Sequence, residues 1–379
     1  RLFTWPGQGA AGVDQFSVWT RRRWDELNVE PSEETAVLFR QIKAGKLGLP
    51  PQLPAFLAEE TARHEAITPR IYVRERELQL LNIGLEKALD GQSRVIFISG
   101  GPGRGKTVLM KAFAQQAMDK HANLLVASGN CKAYSGMGDP YLPFRDIMAM
   151  LTGDVENKWD TGAITREHAS RLWEAFPIVI NALLDHSVNS LDVLVNGKEL
   201  LSRVSTFDLT SSNSNFSHLP ELIKHQQTMV KDLALSNLFQ QIANMLQAIS
   251  RKKPLLLILD DMQWADNASV SLLFHLGRRF LETNSKILIL CAFRPEEVSL
   301  GREGERHPIV KLLNEFKRIF GDEWVELTYP GEKDARRFVD AILDSEQNRL
   351  GERFRSSILQ KTQAHPLFTV ELLRSMCDR

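Results

Sequence analysis

The sequence predicts an α/β protein centred on a parallel sheet, and three stretches predict it. Val95–Thr107, VIFISGGPGRGKT, reads as a buried strand that runs into a glycine-rich turn and then a helix. Leu255–Asp261, LLLILDD, is an all-aliphatic run closed by two carboxylates, and Ile287–Phe293, ILILCAF, is a third apolar run of strand length. Unbroken apolar runs of this kind belong to strands covered on both faces, as in a parallel sheet between helices.

The turn in the first stretch has a chemistry of its own. Gly100, Gly105, Lys106 and Thr107 match G-x-x-x-x-G-K-[ST]. Several backbone N–H groups pointing into a tight concavity form an anion cradle, and Gly101, Gly103 and Gly105 lack the Cβ that would block the approach or forbid positive φ. A helix expected over 106–120 adds the positive end of its dipole. Lys106 supplies a point charge for β- and γ-phosphates, and the Thr107 hydroxyl is placed to ligate Mg²⁺. The candidate nucleotide contacts are therefore Gly100, Gly101, Pro102, Gly103, Arg104, Gly105, Lys106, Thr107 and Val108. A glycine-rich hairpin with a stray lysine is the alternative; the strand pattern before the turn and the helical pattern after it argue against that.

The other elements follow in chain order. Phe16, Trp19, Trp24 and Leu27 predict one helix, and Thr35, Leu38, Phe39 and Ile42 a second that stops at Gly45, giving a helical hairpin over 1–45. Pro50, Pro51 and Pro54 mark 46–68 as a stiff linker. An α/β core is expected over 69–330. Ile71–Leu78, IYVREREL, leads into a helix lined by Leu81, Leu85 and Leu89 that ends at Gly91. Leu124–Ser128 reads as the second strand, with 106–120 as its crossover. A long helical insertion occupies about 130–250, with helices from about Leu142 and over Arg166–His186 and Leu222–Ser250, and a polar loop over Ser205–Ser217.

The strand over 255–261 would carry Asp260 to the carboxyl edge of the sheet, where it can hold Mg²⁺, and Asp261 one step further out, where it can orient an attacking water. A strand merely entering a turn is the plainer alternative. Met262–Asp266, MQWAD, opens a helix in which Val270, Leu273 and Phe274 face inward. Arg294, at the end of ILILCAF, could feel a γ-phosphate or could cap Glu296 or Glu297. Trp324–Leu327 reads as a short last strand, and 331–379 as helical with an apolar pattern that Pro366 interrupts.

Composition narrows the function classes. The 47 Lys plus Arg balance 47 Asp plus Glu, so there is no global basic field for nucleic acid. Three cysteines, Cys131, Cys291 and Cys377, lie far apart without a C-x-x-C pair, which argues against a disulfide framework or a zinc site and fits a cytoplasmic location. No apolar run approaches the roughly 20 residues that span a bilayer, so no membrane contact is expected. The first residue is Arg1 rather than Met, which suggests a piece of a longer chain.

Two resemblances extend this reading. VWTRRRWDELNVEPSEETAVLFRQIKAGKL resembles the closing helices of a bacterial transcriptional activator domain, a tetratricopeptide-like bundle, with Asn28 where that pattern usually has Gly. IYVREREL, GGPGRGKT, LLLILDDMQWAD, CAFRPEE and AHPLFTVELLR, in that order, make the chain from about Pro69 onward resemble the AAA-like ATPase domain of STAND signal-transduction ATPases in large bacterial transcription regulators. That resemblance implies a P-loop fold with a five-stranded parallel sheet and an accessory helical lid. It implies that backbone near Tyr72 and Val73 cups adenine, that Asp260 and Asp261 are the magnesium and catalytic acids, that Arg294 senses nucleotide, and that Pro366 closes over the base. Two residues depart from the family pattern: Val73 and Ala364 each stand where Gly is usual.

The partners so implied are ATP and ADP, winged-helix and repeat domains further along the chain, DNA only through such domains, and ATP-dependent self-association. The expected function is a slowly hydrolysing regulatory ATPase. The alternatives are a mechanical ATPase acting on nucleic acid or protein and a non-hydrolysing nucleotide-binding scaffold.

Overall fold

The structure, a computed structural model, describes residues 73–132, 140–186, 191–210, 235–300, 307–320, 324–328, 331–345 and 350–377. The helical hairpin over 1–45, the linker over 46–68 and Tyr72 lie outside the described residues. The chain divides into two compact units, residues 1–61 with 197–228, and residues 62–196 with 229–379. Of the first, the described part is the helix Gly197–Thr210, which carries an i,i+4 pair between Glu199 and Arg203. This helix runs through the first half of the polar loop expected over Ser205–Ser217. The helical spacing of Leu200 and Val204, both buried, carries it past a composition that reads as loop.

The second unit holds the sheet. Its strands are β1 (Arg94–Ser99), β2 (Leu125–Asn130), β3 (Leu255–Asp260), β4 (Ile287–Phe293) and β5 (Trp324–Glu326). All pairings are parallel and the order is β2-β3-β4-β1-β5. The five-stranded parallel sheet expected from the sequence is therefore present. β2 runs two residues beyond Ser128, because Gly129 and Asn130 pair with Leu259 and Asp260.

Alternation along the strands sorts the two faces. On one, Ile96 and Ile98 of β1, Leu256 and Ile258 of β3 and Leu288 and Leu290 of β4 pack with Leu81 and Leu85 of α1 (Glu75–Leu89) and with Leu109, Phe113 and Ala117 of α2 (Lys106–Lys120). On the other, Phe97 meets Phe316 of the helix Ile309–Phe320 and Trp324, with ring centroids 5.7 and 5.4 Å apart. Gly277, on the helix Asn267–Leu281, lies against the same face, where an added Cβ would sit 2.3 Å from the Phe316 ring. That helix starts later than the MQWAD stretch suggests. Met262–Trp264 forms a single 3-10 turn, and Asp266 caps the helix by accepting from the Ser269 N–H at 2.8 Å.

Within the insertion, the helix Arg166–His186 is set against β2 by His168, whose Nε2 bonds the Val126 carbonyl at 2.8 Å. The stretch expected to be a lid forms three helices, Glu332–Leu343, Glu352–Thr362 and Pro366–Cys377. It has a small core of its own around Phe338, Val339, Ile358 and Ala364. Arg336 ties its first two helices by pairing with Asp340 at 2.8 Å and Glu352 at 2.6 Å. Pro366 begins the last helix rather than interrupting one, since the ring fixes φ for the first turn and its absent N–H has no intrahelical partner there. Among the described residues no helix is long and apolar enough to cross a membrane.

One close approach is testable. A Cβ on Gly129 would lie 1.8 Å from the carbonyl oxygen of Pro143, where the helix Leu142–Leu151 seats on β2. Gly129→Ala is expected to destabilise the protein by about 2–3 kcal/mol, because backbone must move to admit the methyl. A urea unfolding midpoint unchanged by the substitution would contradict this.

Candidate functional site

In a parallel sheet every strand ends on the same edge, so the loops after β1, β3 and β4 meet there. The loop after β1 turns through two left-handed glycines, Gly103 at φ 68° and Gly105 at φ 87°, and α2 begins at Lys106. Lys106 is buried, and its ammonium donates to the carbonyls of Gly100 at 2.7 Å and Gly101 at 3.0 Å. Burial, and after it the Arg294 charge, hold its pKa below the ordinary lysine value. Thr107, one residue on, donates from its hydroxyl to Asp260 Oδ2 at 2.6 Å.

Asp260 is a buried carboxylate, and its Oδ1 accepts the Asp261 N–H at 2.8 Å. Desolvation raises its pKa despite these two donors. Asp261 has left the strand and takes a left-handed backbone, φ 53°, which Asp tolerates better than most residues. Its Oδ1 lies 3.6 Å from Arg294 Nη2, and Arg294 Nη1 pairs with Glu297 at 2.7 Å. Arg294 thus makes the glutamate contact and also faces the carboxylate that follows β3.

A cavity of about 500 Å³ opens over the loop. Its wall is formed by Gly103 to Thr107, Asp261 and Arg294 together with Phe338, Ile342, Pro366, Leu367 and Val370 of the C-terminal helices. Val108 and Leu109 of α2 line it as well. The lid touches the loop directly: His365 Nε2 lies 3.2 Å from the Pro102 carbonyl, and a Cβ on Gly103 would meet the His365 ring at 2.5 Å and Leu367 Cβ at 2.9 Å. A second cavity, about 460 Å³, shares Thr107 and Val108 with the first, but has Asp260 and none of the glycine loop in its wall.

The structure gathers most of the sequence-nominated residues at one place. Gly103 to Val108, Asp261, Arg294 and Pro366 line the first cavity. Gly100, Gly101 and Pro102 continue the same loop, whereas Asp260, bonded to Thr107, lines the second cavity. Val73 packs instead against the lid core, and the cavity wall beside it is Arg74. Sequence reasoning missed Arg74, the lid residues Phe338 and Ile342, and Gln263. Phe338 and Ile342 sit four apart, the spacing of one helix face, but nothing in the sequence says which cavity that face covers.

The profile of the family described as AAA ATPase domain matches residues 70–290, more than half of the chain. The chain belongs to the AAA ATPase domain family. Among solved structures, this AAA ATPase domain is similar to Cdc6p from Pyrobaculum aerophilum, at 14% identity over 85% of this chain and 64% of that one with a TM-score of 0.40. It is also similar to a Walker-type ATPase of Pyrococcus abyssi, at 14% identity over 81% and 69% with a TM-score of 0.41. AMPPCP-bound DnaA from Aquifex aeolicus matches at 13% identity over 79% and 61%, with a TM-score of 0.37. The chain spans a little under two thirds of the length of the Cdc6p structure. No curated protein sequence matches it.

The two departures from the family pattern share a backbone state. Val73 has φ 56° and Ala364 has φ 54°, so each holds a left-handed conformation suited to Gly. A β-branched residue there is strained by about 1–2 kcal/mol. Val73→Gly is therefore expected to be more stable than Val73→Ala by about 1 kcal/mol, the reverse of the usual order. Thermal unfolding of the pair checks this, and an alanine variant as stable as the glycine variant would contradict it.

Asp260 gives a pH dependence of known sign. Its folded-state pKa is raised above 3.8, so the folded protein binds the proton more tightly than the unfolded chain. Its stability contribution is greatest below 3.8 and is lost as pH rises through the raised value. Nucleotide-free wild type should accordingly lose stability relative to Asp260→Asn over that rise; a pH-independent difference in denaturant midpoint would refute it.

Proposed function

We propose that this AAA ATPase domain is a regulatory switch of the STAND type, which binds ATP with Mg²⁺ between sheet and lid, hydrolyses it slowly, and passes nucleotide state to flanking domains of a transcription-regulating chain. The observation that carries the reading is one cavity lined by both a charged loop and an apolar helical group. Its charged lining, with Lys106, Arg294 and the left-handed glycines, suits a triphosphate; its apolar lining, from the C-terminal helices, suits a base. Because the base would contact the lid and the phosphates the loop, occupancy would couple the two, which is what a switch requires: different affinity for two arrangements.

Thr107, which lines the cavity, and its hydrogen-bond partner Asp260 fit Mg²⁺. Thr107 and Asp260 present hard oxygens 2.6 Å apart, and a cation there would offset the desolvation that raises the Asp260 pKa. When bound, Mg²⁺ neutralises charge on the β- and γ-phosphoryl oxygens. Lys106 would exchange its carbonyl partners for phosphate oxygens, and the Asp261 carboxylate would orient the water for in-line attack and accept its proton. An arriving γ-phosphate would compete with Asp261 and Glu297 for the Arg294 guanidinium, giving that arginine a sensing role.

Equilibrium binding of a fluorescent ATP analogue with Mg²⁺ tests the reading. Lys106→Ala should weaken it about tenfold or more, the worth of a charged hydrogen bond. Asp261→Asn should keep the affinity and lose about a hundredfold or more in turnover. Absence of saturable binding, or binding indifferent to Lys106→Ala, would sink the proposal. Turnover strongly stimulated by DNA would favour a mechanical ATPase instead.

A further inference from the structure

Gln263 has no part in the mechanism above, yet it is 1% exposed and its amide is bonded at both ends to the site. Its Oε1 accepts the backbone N–H of Arg294 at 3.1 Å, and its Nε2 donates to Asp261 Oδ1 at 2.7 Å. A backbone N–H can only donate, so chemistry fixes the orientation of the amide: oxygen toward Arg294, nitrogen toward Asp261.

The main chain of Gln263 is held as well. Its carbonyl accepts from His307 Nε2 at 3.0 Å, while His307 Nδ1 accepts the Ile309 N–H at 3.2 Å. The ring is therefore the neutral tautomer with its proton on Nε2. One residue thus joins the turn after β3, the end of β4 and the start of the helix Ile309–Phe320.

We propose that Gln263 is a positioning residue for ATP hydrolysis, aiming the Asp261 carboxylate and locking its register to the β4 terminus that carries Arg294. Asp261 needs such a support. It sits on a left-handed backbone outside the strand, and the Arg294 guanidinium stands 3.6 Å away and is shared with Glu297. With Oδ1 held by the amide, Oδ2 is the oxygen left to accept from a water. Fixing the acid to the end of β4 also makes any shift of that strand's terminus a shift of the acid. The inference rests on the reading of Asp261 as the group that acts on the attacking water.

Gln263→Glu tests it with little change of shape. The variant keeps an oxygen for the Arg294 N–H but turns an oxygen toward Asp261 in place of a donor. The expected result is a kcat lower by about ten- to a hundredfold, the effect of misaligning a reacting group, with affinity for the fluorescent ATP analogue unchanged. In the Asp261→Asn background the same change should add almost nothing, since side chains that act as a unit are not additive. A merely structural role would instead lower the thermal midpoint and weaken nucleotide binding in both backgrounds. Gln263→Met, of similar volume and lacking both bonds, supplies the comparison if the glutamate variant does not fold.

Wild-type turnover in both Gln263 variants, with Asp261→Asn inactive, would overturn this inference alone. Equal turnover in wild type and Asp261→Asn would overturn the reading beneath it.

Discussion

The hydrogen bond from Thr107 to Asp260 joins two loops that the strand order keeps apart. β1 and β3 are not neighbours, because β4 lies between them. The start of α2 must therefore reach across the end of β4 to put its hydroxyl on the last residue of β3. Once it does, a buried carboxylate has a donor on each oxygen, Thr107 on one and the Asp261 amide on the other. An unpartnered carboxylate in that position would be costly, so the bond sets where the glycine loop can sit. The Lys106 ammonium, the left-handed glycines and the cavity above them take their places from it.

Backbone strain occurs near the same place. Among the non-glycine residues at positive φ, Asp261 stands beside Asp260, and Val73, Gln363 and Ala364 lie at or against the C-terminal helices, while Tyr141 caps the helix Leu142–Leu151. Residues held in such conformations cost of order 1–3 kcal/mol each and persist where the surroundings over-determine them. At Val73 and Ala364 the backbone keeps a shape suited to Gly while the side chain packs into, or against, the lid core.

The cysteines illustrate how burial limits chemistry. Cys131 and Cys291 are buried, unpaired by disulfide, and their thiols are pushed above the ordinary range by desolvation. Thiols held protonated in this way are poor nucleophiles, so they serve as core packing beside the acids of β3 rather than as a second reactive centre.

Much of the site was legible in the residues themselves. The glycine loop, Lys106 and Thr107 announce themselves because an anion cradle allows few alternatives in residue type or spacing, and the aliphatic runs before Asp260 and Arg294 are long enough to read as buried strands without any partner in view. Helix boundaries were less legible, since Asp266 as a cap and Pro366 as a first-turn residue are local choices that apolar spacing does not reveal. The sequence by itself determined the sheet, the phosphate loop and the acids at its edge, all properties of short contiguous segments. Tertiary structure alone decided that Phe338 and Ile342 roof the cavity, that Arg294 faces Asp261, and that Gln263 ties one to the other. Those contacts join segments far apart in the chain, and a side chain's periodicity tells which face it occupies but not what that face will meet.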